Sequence, residues 1–284
     1  MAPHLPLPRR LIETSVQSAL VEDLGDAGDV TTLATIPTDA QGKAVIRARK
    51  TGRLAGMELA EAAFTLVSPG VTLTRHCADG AMLNTGDDIL EITGSVHAIL
   101  SAERVALNFL GHLSGIATAT HELVEAVAGT NAKIVCTRKT LPTLRAFQKY
   151  AVTCGGGFNH RFGLYDAVMI KDNHIAACGG ITNALKAAKS RIGHMVKVEI
   201  EVDTLAQLEE VLREGADVIL LDNMSTDQLA QAVKLTKGRA TLEASGNITV
   251  STVRAIAETG VNVISSGWIT HSAPNLDLGL DYIA

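Results

Sequence analysis

The residues best suited to chemistry lie in one stretch, Thr137 to His174, which reads TRKTLPTLRAFQKYAVTCGGGFNHRFGLYDAVMIKDNH. Between Lys133 and Ile175 seven Lys or Arg stand against two Asp, a local charge of +5 in a chain whose formal net charge is −5. These basic side chains alternate with glycines and apolar runs instead of repeating at helical spacing. That pattern suits a pocket for a small polyanion better than a solvated face. Arg138, Lys139, His160, Arg161, Lys171 and His174 form the cationic set, and guanidinium forks among them can grip carboxylates in pairs. A single histidine is more often packed or capping than chemical, and two in one cationic block raise the chance of a role.

Two acidic positions and two small turns complement this set. Glu201 and Asp222 end adjacent predicted strands, VKVEIEV (196–202) and ADVILLDN (216–223). They suit divalent-metal ligation, hydrogen bonding to sugar hydroxyls, or simple charge compensation for Lys171. EASGN (243–247) and SSGW (265–268) each set a serine beside a glycine. Such turns let backbone N–H groups approach an anion, helped by the positive end of a following helix. The alternative is two ordinary turns that need small residues. The chain has no G-x-x-x-x-G-K-[ST], no G-x-G-x-x-G after a strand and no H-E-x-x-H, which removes the commonest ATPase, dehydrogenase and zinc-protease readings.

The elements that would hold these residues follow from periodicity. After Gly129, short apolar strands at 133–139, 166–174, 196–202, 216–223, 240–247 and 261–268 alternate with helix-like stretches. This demands a parallel sheet with right-handed crossovers, whose chemistry sits at the carboxyl ends of the strands. Six or seven strands predict an incomplete barrel, with an open doubly wound sheet as the other architecture. GGGFNHR (155–161) contributes either a further strand or a loop.

Upstream, residues 11–24 read as a helix stopped by Gly25, and GDAGDVTT as a loop with Thr31 or Thr32 as caps. GKAVIRARK reads as a strand with Ala44, Ile46 and Ala48 on one face. MELAEAAFTLV reads as a helix, and VTLTRHC and NTGDDILEITGS give further strands. From Val96 to Ala128 an Ala/Leu-rich helical pattern, interrupted at Gly111 and Gly115, links the halves and carries Arg104. The expected fold is therefore α/β. An N-terminal α+β sandwich domain (1–112, with the tail 272–284 packing on it) precedes an incomplete, about seven-stranded α/β barrel (113–271).

Composition sets the outer bounds. Apolar residues make up 46% of 284 positions and only nine are aromatic, so the cores must be built from Val, Ile, Leu and Ala. Such cores suit parallel strands under Ala-rich helices. Mild acidity excludes a general nucleic-acid surface. Cys77, Cys136, Cys154 and Cys178 form no CxxC pair and are expected as buried reduced thiols. The opening MAPHLPLPRR has no apolar run after its charges, so no secretion signal is expected, and no segment approaches a membrane span. A cytoplasmic protein is expected.

TRKTLP, KYAVTCGGGFNHRFGLYDAVMIKDNH, EIEV, ADVILLDNM, LEASGNI and ISSGWITHS closely resemble the quinolinate phosphoribosyltransferase family. EDLGDAGDVTT and SAERVALNFLGHLSGIAT extend the likeness nearly end to end. The resemblance implies homodimers with a shared active site and a reaction of quinolinate with phosphoribosyl pyrophosphate. With Mg2+, the products are nicotinate mononucleotide, pyrophosphate and carbon dioxide. It further implies that Arg104 of a partner chain, Thr137, Arg138, His160, Arg161 and Lys171 hold quinolinate, with Lys139 and His174 completing the cationic lining. Lys139, Lys171, Glu201 and Asp222 become the catalytic set. Glu201 and Asp222 also face ribose hydroxyls and magnesium, directly or indirectly. Ser245, Gly246 and Asn247, with Ser266, Gly267 and His271, receive the 5-phosphate. Thr143 and Asn247 stand where glycines are usual, and Ser266 and Trp268 where smaller residues are frequent. Two other functions remain compatible with the residues alone: a Schiff-base aldolase using Lys139 or Lys171, and a non-catalytic sensor of phosphosugars or dicarboxylates.

Overall fold

The computed structural model describes residues 6–283, so the first five residues of MAPHLPLPRR lie outside it. The first half of the chain gives α1 (Arg9–Leu24), α2 (Val30–Thr35), β1 (Gln41–Ala48), β2 (Gly52–Arg53), α3 (Met57–Val67), β3 (Thr72–Arg75), β4 (Met82–Leu83), β5 (Asp88–Ser95) and α4 (Val96–Ala126). Then follow β6 (Lys133–Val135), α5 (Arg145–Cys154), β7 (Val168–Ile170), α6 (Asp172–Cys178), α7 (Ile181–Lys189), β8 (Val198–Val202) and α8 (Leu205–Glu214). The chain closes with β9 (Val218–Asp222), α9 (Thr226–Thr236), β10 (Thr241–Ser245), α10 (Val250–Glu258), β11 (Val263–Ser265), α11 (Trp268–His271) and β12 (Leu278–Ile283). No helix of the described residues is long and apolar enough to cross a membrane.

These elements form two units. One takes residues up to 121, 146–156 and 272 onward; the other takes 122–145 and 157–271. The sequence reading placed a boundary after residue 112, whereas the units divide inside α4 and the first also takes most of α5.

In the first unit an antiparallel sheet runs in the order β12-β1-β5-β3. Ala44, Ile46 and Ala48 of β1 are buried as the alternation requires, and Val45 is buried as well. The stretch GDAGDVTT is not all loop. Asp29 caps α2 by accepting the Thr32 N–H at 3.0 Å, so the cap is the aspartate rather than either threonine. Helix α4 runs unbroken through Gly111 and Gly115. The glycines are close-approach points instead of breaks: Leu276 N–H donates to the Gly111 carbonyl at 2.9 Å. A Cβ on Gly115 would meet the Pro274 carbonyl. Helix α5, unassigned from sequence, buries Phe147, Ala151 and Val152, and Tyr150 Oη donates to Asp79 at 2.8 Å.

The second unit is a parallel sheet in the order β6-β11-β10-β9-β8-β7. Val135 makes one further parallel bridge to Phe158, so GGGFNHR supplies a single rung where a seventh strand could stand. Strands are shorter than the apolar runs suggest. β7 stops at Ile170 because the helix α6 begins at Asp172, inside the run read as strand. Helices α8, α9 and α10 start beyond the carboxyl ends of β8, β9 and β10, at capping residues Thr204, Ser225 and Thr249. Each hydroxyl takes the N–H three residues on, satisfying a donor the helix cannot. Of the cysteines, Cys136 and Cys154 are buried, Cys77 is intermediate and Cys178 is exposed, so burial holds for only two.

Candidate active site

Side chains alternate along a strand, so residues two apart share a face. On β10 the inward pair is Glu243 and Ser245; on β8 it is Glu199 and Glu201; on β9, Leu220 and Asp222. Ser245 is in register with Asp222 on one side and Ser265 on the other, which puts one ring of polar groups at the carboxyl ends. A cavity of about 380 Å³ opens there, lined from all six strand ends, including both edges of the sheet. The sheet must therefore curl, as the barrel reading expects.

That cavity collects Thr137, Arg138, Lys139, His160, Arg161, Lys171, Glu201, Asp222 and Ser245. A second cavity of about 810 Å³ shares Thr137, Lys139, Asp222 and Ser245 with it, so the two form one bipartite site. This second half adds Gly246, Asn247, Ser266, Gly267 and His271. Two sequence candidates lie outside. His174 is exposed, and its Nδ1 accepts the Lys171 N–H at 3.0 Å as a cap on α6, the role most single histidines have. Arg104 is exposed on α4 in the first unit and lines neither cavity.

The smaller cavity is built for negative charge. The Nε atoms of Arg138 and Arg161 are buried and have no hydrogen-bond partner within the protein. Burial, and then the neighbouring charge of Arg138, holds the Arg161 guanidinium below the ordinary arginine value. Two guanidiniums that repel each other while donors stay unsatisfied are best relieved by an anion with several oxygens. Lys171 Nζ donates to Glu201 Oε2 at 2.5 Å, which fixes both at the rim.

The larger half is a backbone cradle. Gly246 has φ +103 and Asn247 φ +52, both outside the range most side chains adopt. Asparagine is among the few residues that take the left-handed conformation readily, so Asn247 can stand where a glycine is usual. Thr143, the other such departure, has φ +66 and no comparable tolerance. Asn223, also left-handed, donates from Nδ2 to Asp222 Oδ2 at 2.7 Å. A Cβ on Gly246 would strike the Asn223 side chain, so these two turns are fitted to each other.

Three polar residues escaped the sequence reading: Asn223, Glu199 and Glu243. The glutamates are only 6% and 3% exposed and sit around His160. Their signal was the period of two, since each stands two residues before a recognised strand-end residue. Burial, then the charge of Glu199, raises the Glu243 carboxyl to about 7.

Known proteins resemble this chain along most of its length. Family models described as the N-terminal and C-terminal domains of quinolinate phosphoribosyl transferase match residues 29–114 and 116–281. A probable carboxylating nicotinate-nucleotide pyrophosphorylase of Bacillus subtilis is 47% identical over 92% of this chain and 90% of its own length. A decarboxylating quinolinate phosphoribosyltransferase of Nicotiana tabacum is 43% identical over 93% of this chain and 80% of its own. The crystal structure of NadC from Streptococcus pyogenes superposes with a TM-score of 0.94 at 44% identity, covering 99% of this chain and all of that one. A nicotinate-nucleotide pyrophosphorylase from Francisella tularensis gives 0.94 at 38% identity, covering 98% of each.

Proposed function

From the premise that the chain belongs to the quinolinate phosphoribosyltransferase family, we propose how its bipartite site performs the family reaction. Phosphoribosyl is transferred from phosphoribosyl pyrophosphate to quinolinate with decarboxylation, giving nicotinate mononucleotide, pyrophosphate and carbon dioxide. The observation that carries the assignment is the pair of cavities joined at Lys139 and Asp222. One half offers arginine donors without protein partners, and the other offers glycine-serine turns.

Arg138, Arg161 and Lys171 hold the dicarboxylate, and the turns at Ser245–Asn247 and Ser266–Gly267, with His271, take the 5-phosphate at the helix ends. The pyridine nitrogen then faces the anomeric carbon, and positioning of this kind is worth up to about 7–11 kcal/mol. As pyrophosphate leaves, the sugar gains cationic character, which Asp222 and Glu201 can stabilise near the ribose hydroxyls. The new bond turns the ring nitrogen into a pyridinium. The carbon–carboxylate bond at the adjacent position breaks, its electron pair is held beside that positive nitrogen, and a proton replaces the lost carbon dioxide. No separate electron sink is needed.

Magnesium fits this donor set, because Asp222 and Glu201 are hard oxygen ligands of the kind it accepts beside phosphate oxygens. Glu201 is already held by Lys171, so Asp222, which lines both cavities, is the carboxylate better placed to hold the ion. When bound, magnesium supplies charge neutralisation for the departing pyrophosphate. The reading also includes a homodimer in which Arg104 of the partner chain completes the dicarboxylate pocket.

The test is quinolinate-dependent release of carbon dioxide with phosphoribosyl pyrophosphate and magnesium, run beside nicotinate as substrate and repeated after chelation. Turnover of quinolinate alone, lost on chelation and restored by magnesium, is expected. Turnover of nicotinate in its place would refute the assignment. A lysine adduct trapped by borohydride with a carbonyl substrate would favour the aldolase reading instead.

A further inference from the structure

Glu243 lines the cationic cavity and Glu199 contacts its lining residue His160, and no step of the proposed mechanism uses either. They are the two buried carboxylates nearest a pocket meant for an anion, where their charge works against binding. Each also keeps one oxygen, Oε1, buried and without a hydrogen-bond partner. Such groups are costly to bury, and their presence calls for a reason.

The reason lies in His160. Its Nδ1 accepts the backbone N–H of Arg161 at 2.8 Å, so Nδ1 carries no proton. The ring proton is therefore on Nε2, which donates to Glu199 Oε2 at 2.8 Å, with Glu243 Oε2 at 3.8 Å from the same nitrogen. The Arg161 guanidinium is then anchored through Nη1 to the Ala167 carbonyl at 3.0 Å. A chain of contacts thus runs from the buried carboxylates through the imidazole to the main chain of an arginine that faces the dicarboxylate.

We propose that Glu199, backed by Glu243, is a positioning residue for quinolinate: it fixes the His160 ring as the Nε2–H tautomer, and the ring holds Arg161 in register with the substrate. A bound metal is the competing use, since the three donor atoms lie within 4.8 Å of one another. The hydrogen bonds decide against it. A metal-bound histidine gives its second ring N–H to an acceptor, but here a donor occupies Nδ1, so the Nε2 lone pair is not available to an ion.

The inference rests on the proposed function, and the experiment separates the two. Wild type, Glu199→Ala and Glu199→Gln are compared for turnover. Glu199→Ala should raise KM for quinolinate about 10-fold or more, while KM for phosphoribosyl pyrophosphate stays within about twofold of wild type. Glu199→Gln, whose amide oxygen can still accept the Nε2 proton, should recover most of the loss. A general folding defect would raise both KM values, and the glutamine would not rescue it. His160→Ala and Glu199→Ala together should cost no more than the worse single change, because both break one chain. Additive effects would overturn the proposal. Nitrogen-15 spectra of the wild-type imidazoles, with His160 identified by its loss in the alanine variant, provide a readout that no folding failure affects. An Nδ1–H or doubly protonated His160 would sink the idea. So would zinc or manganese binding in wild type that Glu199→Ala and Glu243→Ala abolish. A wild-type protein that fails to turn over quinolinate would remove the function while leaving the tautomer measurement to judge the contact chain.

Discussion

Replacing Gly246 with alanine should damage one half of the site and spare the other. The residue has φ +103, and an alanine there costs roughly 1–3 kcal/mol in backbone strain. Its new Cβ would also lie 2.8 Å from Asn223 Cγ and closer still to Oδ1. Asn223 can swing away only by giving up its 2.7 Å bond to Asp222, a further loss of about 1 kcal/mol. Together these predict roughly 2–4 kcal/mol. At about 2–4 °C per kcal/mol for a chain of this size, Tm should fall by roughly 5–15 °C.

Because the strain is stored in the turn proposed to take the 5-phosphate, KM for phosphoribosyl pyrophosphate should rise about 10-fold or more while KM for quinolinate changes little. Adding Asn223→Gly keeps the left-handed backbone and removes the atoms the Cβ would hit. Because Asn223→Gly forfeits the same bond to Asp222, the double variant should be about as stable as Gly246→Ala alone, with the φ part still present. Thermal unfolding and initial rates with each substrate varied in turn measure all of this. An unchanged Tm together with an unchanged phosphoribosyl pyrophosphate KM would refute the reasoning, as would equal rises in both KM values.

Thr143→Gly should relieve a β-branched residue held at φ +66 and raise stability by about 1 kcal/mol, read as a Tm increase of roughly 2–4 °C; a decrease would show that the turn is not strained. Glu243 has its carboxyl raised from 4.5 to about 7, so the folded state binds the extra proton. Its contribution to stability is complete below 4.5 and is lost as pH rises through 7. Glu243→Gln should consequently flatten the fall of Tm between pH 5 and 8, with a gain over wild type of roughly 1–3 kcal/mol at pH 8, and parallel curves would contradict this. Lys139→Ala should lower kcat by about 10²–10³ with Tm preserved, and wild-type rates would remove Lys139 from the reaction. Mixing Arg104→Ala with Lys139→Ala subunits should restore activity at about one quarter of the sites if each site draws on two chains. No recovery after proven subunit exchange would count against sharing.

Much of the second unit could be read from the chain because its signals are local. Apolar strand, polar strand end and capped helix repeat several times, and the strand ends fall where βα geometry puts chemistry. That Arg138, Lys171, Asp222 and Ser245 line one cavity at the strand ends therefore follows from position alone. His174 falls outside both cavities for a related reason: a run of VMIKDNH looks like a strand that continues, while the histidine side chain is taken by the start of α6. Glu199 and Glu243 were passed over because a glutamate inside a strand reads as solvent-facing. Only the curl of the sheet, which turns that face inward, makes it buried. Gly111 and Gly115 misled in the opposite direction. Their meaning depends on the Pro274–Leu276 segment, more than 150 residues later, and no local window contains it.

The edge strand β12 also sets a timetable. Its partner β1 leaves the ribosome well before it, for Arg47 and Asp281, joined across that pair, are 234 residues apart. At about 5–20 residues per second, β1 must wait some tens of seconds for its outer neighbour. During that interval the apolar run Ala44–Ile46 borders an open row of unpaired backbone groups, the kind of edge that recruits other chains. The first unit starts to form first but can close only after the second has been made. The hazard in making this protein therefore lies far from its chemistry, in a sheet edge that stays uncovered until β12 arrives.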